Sequence, residues 1–228
     1  RRWRGSLPRA VSLLRSSWPL MLSGLAIWVY MRIDQLMIGG MVDDRAVGVY
    51  SAAVRLSEVW YFVPVAITSS VFPSLVEYKK ANEQVYLNRV QRLFNVLVAL
   101  SYAVILPATI LAQPIIVLLY GPSYGDAGAL LAVLMWTGVF VALGVARESW
   151  IVAEGLMKFS FLSAVLGALT NVTLNLLFIP HYGALAAAVA TLLSQFAAVT
   201  LSMLLSRKTW PVFRMQLKAL VLWGCLRL

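Results

Sequence analysis

The chain has few of the residues that build catalytic and metal centres. Its single cysteine, Cys225, excludes an internal disulfide and a cysteine-rich metal site. Its single histidine, His181, has no ligand-type neighbours and reads as an exposed structural residue. No Ser-His-Asp, paired-carboxylate, phosphate-loop or zinc spacing occurs, so enzyme activity has no support and no cofactor or resident metal is expected. A large polar loop, on which a membrane glycosyltransferase or ligase would carry its acids and histidines, is also missing. Charge is scarce: 12% of the residues are charged and only 9 are acidic, against roughly a quarter charged in soluble domains.

What is abundant is apolar. Hydrophobic residues make up 61% of the chain and mean hydropathy is +0.82, which marks a membrane protein. The net charge of +10 would suit nucleic acid, but the basic residues fall between apolar runs and form no single polar face. A membrane surface is therefore the expected partner, and nucleic acid is not.

Six runs of about the length of a hydrocarbon core are separated by basic or turn-forming segments. They cover 18–40, 47–76, 93–120, 127–146, 159–180 and 183–205, between a basic segment 1–17 and a basic tail 206–228. Gly39-Gly40 ends the first run, and Pro64 is expected to kink the second. Glu77–Arg92 reads as a surface connection, Gly121–Gly128 as a turn cluster, and Arg147-Glu148 and Pro180 as stops. The tail holds one short apolar stretch, Ala219–Cys225, either interfacial or the start of another span. The fold class is thus all-α, a polytopic bundle of six transmembrane helices.

Lys and Arg in alternate connections set the orientation. One set, 1–17, 77–92, 147–158 and 206–228, carries sixteen, whereas the other carries only Arg45. Both ends of the segment are therefore expected on the cytoplasmic side. The first residue is Arg, not Met, and the chain is expected to be part of a longer protein. The Arg- and Ser-rich opening also describes an organelle presequence, but a presequence would begin with Met.

Four charges interrupt the first two runs: Arg32 and Asp34, then Arg55 and Glu58. An ionisable group in the membrane costs at least ~2.5–3.5 kcal/mol and by default marks a functional pathway. Arg32 and Arg55 each fall ~12 Å from the outer end of their run, with Asp34 and Glu58 near that depth. Arg55 and Glu58 share a helix face at i, i+3, which makes mutual neutralisation the bland alternative to lining a cavity. Asn171 and Asn175, with Thr170 and Thr173, polarise the fifth run, as cavity lining or as interhelical hydrogen bonds. Gly183, Ala187, Ala190 and Thr191 read as small groups for close packing. Trp60, Tyr61, Trp136 and Trp150 read as packing or interface aromatics before sugar-stacking platforms.

Three stretches then carry a resemblance. SGLAIWVYMRIDQLMIGGMVDDRAVGVYSAAVRLSEVWYFVPVAITSSVFPSLVEYKK is similar to the start of the C-terminal half of bacterial polysaccharide flippases. LLYGPSYGDAGALLAVLMW and NVTLNLLFIPHYGALAAAVAT resemble later spans of that half. Together they cover most of 18–205 and point to the oligosaccharide branch of the multidrug, oligosaccharidyl-lipid and polysaccharide exporter superfamily. Ala186 departs from the family's frequent Gly but keeps a small side chain.

The resemblance implies one lobe of a two-lobe transporter of twelve or more helices in a bacterial inner membrane. The N-terminal six-helix lobe is expected to precede Arg1, with 1–17 as the cytoplasmic link. The implied activity is flipping of lipid-linked oligosaccharide or polysaccharide precursors by alternating access. Arg32 and Arg55 would hold an anionic pyrophosphate headgroup, since a guanidinium donates paired hydrogen bonds to phosphate. Asp34 and Glu58 stand as candidates for H⁺ or Na⁺ coupling or for charge balance, beside the bilayer lipids as further partners. A multidrug or ion-coupled antiporter of the same superfamily, and a membrane-embedded assembly protein without transport activity, remain open.

Overall fold

The computed structural model describes residues 32–221, together with 17, 18, 21, 22, 24, 25 and 27. The expected cytoplasmic link up to residue 16 and the end of the tail, 222–228, lie outside the described residues. Among the described residues all regular structure is helical.

Helix α1, residues 32–41, runs through Gly39 and Gly40 before the chain reverses. A Cβ on Gly39 would stand 3.3 Å from Val47 Cγ2, so its absence lets α1 approach the next helix closely. Asp43 caps α2 (Asp44–Glu58) by accepting the Ala46 backbone N–H at 2.6 Å. A 3₁₀ turn, Val59–Tyr61, joins α2 to α3 (Phe62–Ala81). The kink expected at Pro64 thus falls just ahead of it, leaving the proline in the opening turn of α3, where its missing N–H costs least.

Asn82 is extended and caps α4 (Glu83–Ile110) by accepting from the Val85 N–H at 3.1 Å. Glu77–Arg92 is, as expected, a mostly exposed connection, and it is helical: α3 and α4 run through it and meet at the single hinge residue Asn82. Tyr86 and Val90, at i, i+4, are fully buried there. A break at Leu111, bracketed by Pro107 and Pro114, separates α5 (Ala112–Tyr120). Gly121 then takes φ +86 and opens the turn Pro122–Tyr124. Trp136 offsets α6 (Ala127–Met135) from α7 (Thr137–Ala153), which continues past Arg147-Glu148 because Arg147 is buried against α8.

Helix α8, Met157–Val199, is two arms joined at Gly183, whose φ of 59 and ψ of −143 reverse the chain. Pro180 does not stop the first arm. Proline removes only its own N–H, and the turn waits for the residue that tolerates positive φ. Two 3₁₀ turns, Leu201–Leu205 and Arg207–Thr209, lead to α9, Trp210–Leu220.

Helix α7 packs between α4 and α8, with Phe94, Leu97, Leu143, Ala146 and Ile151 in the shared core. Among the described residues, four helical stretches, Asp44–Ala81, Glu83–Ile110, Ala127–Ala153 and Met157–Leu205, the last folded back at Gly183, are long and apolar enough to cross a membrane. Leu106, Ile110, Leu118, Leu169 and Leu177 leave apolar side chains exposed on the outside, as lipid solvent requires. The α8 arms meet at small residues. A Cβ on Gly167 would fall 2.7 Å from Ala198 Cβ, whereas one on Gly40 would meet nothing within 4 Å. Gly167→Val is expected to lower the detergent melting temperature, at a cost of ~1–3 kcal/mol from overpacking. Gly40→Ala should leave the melting temperature unchanged, and equal melting of both variants would contradict this packing.

The two ends of the bundle are marked by ion pairs. Arg45 reaches Asp126 at 4.0 Å, joining the α1–α2 turn to the turn before α6. At the other end Lys79 pairs with Glu154 at 2.9 Å and donates to the Ala153 carbonyl at 2.6 Å.

Candidate functional site

The four charges of the first two runs separate into two environments. Arg32 and Asp34 lie two apart on α1 and so project to different sides of the helix. Arg32 is partly exposed and its Nη2 lies 3.1 Å from Glu58 Oε2, with side-chain exposures of 40% and 23%. Arg55, one turn from Glu58 on α2, is exposed and makes no ion pair among the described residues. Glu58 therefore pairs with α1 across the helix interface, not with Arg55 along its own helix.

Asp34 is 1% exposed and is held by neutral groups. Tyr50 Oη donates to Oδ2 at 2.9 Å, Thr191 Oγ1 donates to Oδ2 at 2.5 Å, and Asn175 Nδ2 donates to Oδ1 at 2.6 Å. Asn175 Nδ2 also donates to Asn171 Oδ1 at 3.1 Å. The i, i+4 spacing of the two asparagines puts both amides on one face of the first α8 arm. Both are fully buried, and Asn171 Nδ2 and Asn175 Oδ1 have no hydrogen-bond partner among the described residues.

These residues come from three helices but share one level. Asp34 precedes the end of α1, Tyr50 follows the start of α2, and Asn175 and Thr191 flank Gly183 on the two α8 arms, each within about two helical turns, ~10–12 Å. Gly183 makes this possible, because its reversal sets the second arm beside the first in register.

Oxygen acceptors crowd the cluster, although Asn171 Nδ2 also leaves its protons unused among the described residues. Thr191 has one hydroxyl proton but lies within hydrogen-bonding distance of both Asp34 Oδ2 and the Ala187 carbonyl, the latter at 2.9 Å. Its Oγ1 is also 3.2 Å from Tyr50 Oη. With Asn175 Oδ1 unpartnered, the site carries one carboxylate, a carbonyl, an amide oxygen and two hydroxyls. No Lys, Arg or His among the described residues makes an ion pair with Asp34. A buried carboxylate without a cation is costly unless a proton or a small cation neutralises it. No group of three or more His, Cys, Asp or Glu suited to a metal is found among the described residues. The oxygen set with a single negative charge has the chemistry of a site for a proton or a monovalent hard cation.

Tyr50 and Thr191 are absent from the charge-based reading, which took Thr191 as a small packing group. Nothing in their own spacing marks them; only Asp34 does, by requiring donors. Thr173 is exposed and lies outside the cluster. Trp60 and Trp150 are buried in the core, so they pack and offer no open stacking face. Tyr61 Oη is tied to Thr137 Oγ1 at 2.8 Å.

Arg147 is a further buried cation that the stop reading missed. Its Nη1 donates to the Ala198 carbonyl at 2.6 Å and to Ser202 Oγ at 3.4 Å, and Nη2 lies 3.6 Å from Glu148 Oε2. It ties α7 to the end of α8.

Comparison with known proteins agrees with this fold. The chain is 30% identical over 207 residues to the probable flippase AglR of Haloferax volcanii, covering 88% of this chain and 41% of that protein. It is 24% identical to the probable low-salt glycan biosynthesis flippase Agl15 of the same organism, covering 83% and 40%. The capsular polysaccharide biosynthesis protein CapF of Staphylococcus aureus is 19% identical, covering 73% and 42%. The chain thus spans about two fifths of the curated relatives it matches. The structure of the lipid II flippase MurJ in an inward closed conformation superposes with a TM-score of 0.63 at 17% identity, over 99% of this chain and 50% of that one. The shared architecture is therefore a bundle of membrane-length helices. Residues 1–129, more than half of the chain, match the model of the polysaccharide biosynthesis proteins, and the chain belongs to that family.

Proposed function

We propose that the chain is one lobe of a two-lobe flippase that moves lipid-linked oligosaccharide or polysaccharide precursors across the cytoplasmic membrane. The six apolar segments of 18–205 cross the bilayer, the sixteen-cation side faces the cytoplasm, and a second six-helix lobe completes the cavity. The observation that carries the reading is the pair Arg32–Glu58, left partly open at 3.1 Å, with the exposed Arg55 one turn away. Arg55 is exposed, and Arg32 gives only Nη2 to Glu58 and stays partly exposed, so both guanidiniums can reach an anionic headgroup, to which a guanidinium donates paired hydrogen bonds. The name of AglR supports flipping, and that of Agl15 supports a glycan substrate.

Rocking of one lobe against the other exposes the cavity to each side in turn. The Asp34 cluster takes up H⁺ or Na⁺, and its occupancy biases the packing of α1 and α2 against the α8 arms. Arg32→Ala or Arg55→Ala in the full-length protein should reduce glycan export about tenfold or more at unchanged protein level, as loss of a charge-assisted hydrogen bond implies. Unchanged export would remove both residues from substrate binding.

The acceptor-rich site around Asp34 also favours a second reading, an ion-coupled antiporter of small molecules. That protein would tolerate loss of both arginines and fail on loss of Asp34, so the two substitutions separate the readings.

A further inference from the structure

We infer that a basic cleft between the start of α4 and α9 binds the phosphate of an anionic phospholipid of the surrounding bilayer. The cleft encloses about 450 Å³ and is lined by Arg207, Arg214 and Lys218, with the Gln84 and Asn88 amides facing them and Trp210 at the rim. No acid lines it, and none of the three cations makes an ion pair among the described residues. Three like charges held around one concavity repel each other, which an anion relieves. This site is remote in sequence and in the fold from Arg32, Arg55 and Asp34.

The cleft is a formed wall and not a loose tail. Gln91 Nε2 donates to the Met215 carbonyl at 3.1 Å, Tyr102 Oη to the Leu220 carbonyl at 3.0 Å, and Gln216 Nε2 to the Val199 carbonyl at 3.3 Å. The first two bonds fix α9 along α4, the third ties it to the end of α8, and Arg214 and Lys218 line the gap. Val212 and Ala219 are fully buried on the opposite face of α9.

The surroundings fit a lipid better than free phosphate. Trp210 is 44% exposed and donates its indole N–H to the Leu204 carbonyl at 3.3 Å, the placement of an interfacial aromatic. Leu204, Leu205 and Leu217 beside it are exposed apolar side chains on which acyl chains can lie. Basic pockets between helices at a membrane surface suit anionic headgroups, and each Lys or Arg near the surface strengthens binding about five-fold.

The test uses the full-length protein, with retained lipid measured by native mass spectrometry against phosphatidylglycerol, phosphatidylcholine, an isoprenoid pyrophosphate and inorganic phosphate. Phosphatidylglycerol is expected to be retained over phosphatidylcholine, and the combined variant Arg207→Gln, Arg214→Gln, Lys218→Gln should lose that preference by about a hundredfold. The charge-conserving variant Arg207→Lys, Arg214→Lys, Lys218→Arg should keep it, which separates charge from folding. Equal retention by the glutamine variant would overturn the inference. Displacement of phosphatidylglycerol by isoprenoid pyrophosphate or by inorganic phosphate alone would overturn it too, in favour of substrate or free anion. Transport is not the readout, so this outcome is independent of the flippase reading.

Discussion

Asp34→Asn in the full-length protein is expected to abolish ion-driven flipping while leaving the amount of folded protein unchanged. The substitution keeps the shape of the side chain and removes only its charge. In the lobe the Asp34 carboxylate is buried among Tyr50, Asn175 and Thr191, all neutral donors. An amide can satisfy that geometry, because the two hydroxyls rotate and its own N–H₂ can donate to Thr191 Oγ1. What it cannot do is take up a proton or neutralise a bound cation. The loss should reach about a hundredfold, ~2.7 kcal/mol, the order expected when a charge-assisted contact in a low-dielectric site is removed. Proteoliposomes with an imposed Na⁺ or proton gradient provide the measurement. A variant that still responds to the gradient would move coupling away from Asp34, and Glu58 would be the next carboxylate to replace.

Arg147→Ala should give the largest loss of stability in the lobe. Alanine removes the donor to the Ala198 carbonyl and to Ser202 Oγ, and it strips Glu148 of its counter-ion. Breaking a buried pair by deleting one partner typically costs 3–5 kcal/mol. Glu148 is 35% exposed and the Ala198 carbonyl keeps a bond from Ser202 Oγ at 2.6 Å, so about 2–4 kcal/mol is expected here. Thermal melting in detergent, followed by size-exclusion of the heated sample, should show the drop. Arg147→Lys should recover part of it, since a single ammonium reaches fewer of the acceptors that the planar fork serves. Melting within a degree of the parent protein would show that Arg147 does not hold α7 to α8.

The linear chain already contained much of this lobe. Apolar runs of bilayer length required helices, because backbone N–H and C=O groups in lipid have no other way to be satisfied. Arg32, Asp34, Arg55 and Glu58 stood out for the same reason: lipid makes any charge conspicuous. Asn171 and Asn175 could be paired by their i, i+4 spacing alone. Local rules failed where a residue's role depended on what lay across from it. Arg147-Glu148 looked like a terminus because charge usually ends a span, but Arg147 found the carbonyl of Ala198 on another helix. Pro180 looked like the stop and Pro180–Gly183 like a short turn; the helix runs past Pro180, and the reversal falls on Gly183, the residue of that turn that tolerates positive φ. Glu77–Arg92 looked like surface because its apolar residues were sparse, and most of it is exposed; what the local pattern did not give was that Tyr86 and Val90 meet the core.

By itself the sequence determined that this is a helical membrane protein, with a small set of charges inside its apolar runs. Those properties follow from short-range chemistry: hydropathy, helical rise and the cost of charge in lipid. Which charge meets which partner was decided only by the tertiary structure. Arg32 pairs with Glu58 and leaves Arg55 exposed, and Asp34 joins Tyr50, Asn175 and Thr191. The physical reason is distance along the chain. Contacts between α1 and the two arms of α8 span more than 140 residues, and whether they form depends on the reversal at Gly183 and the close approach at Gly39, not on any local pattern around Asp34.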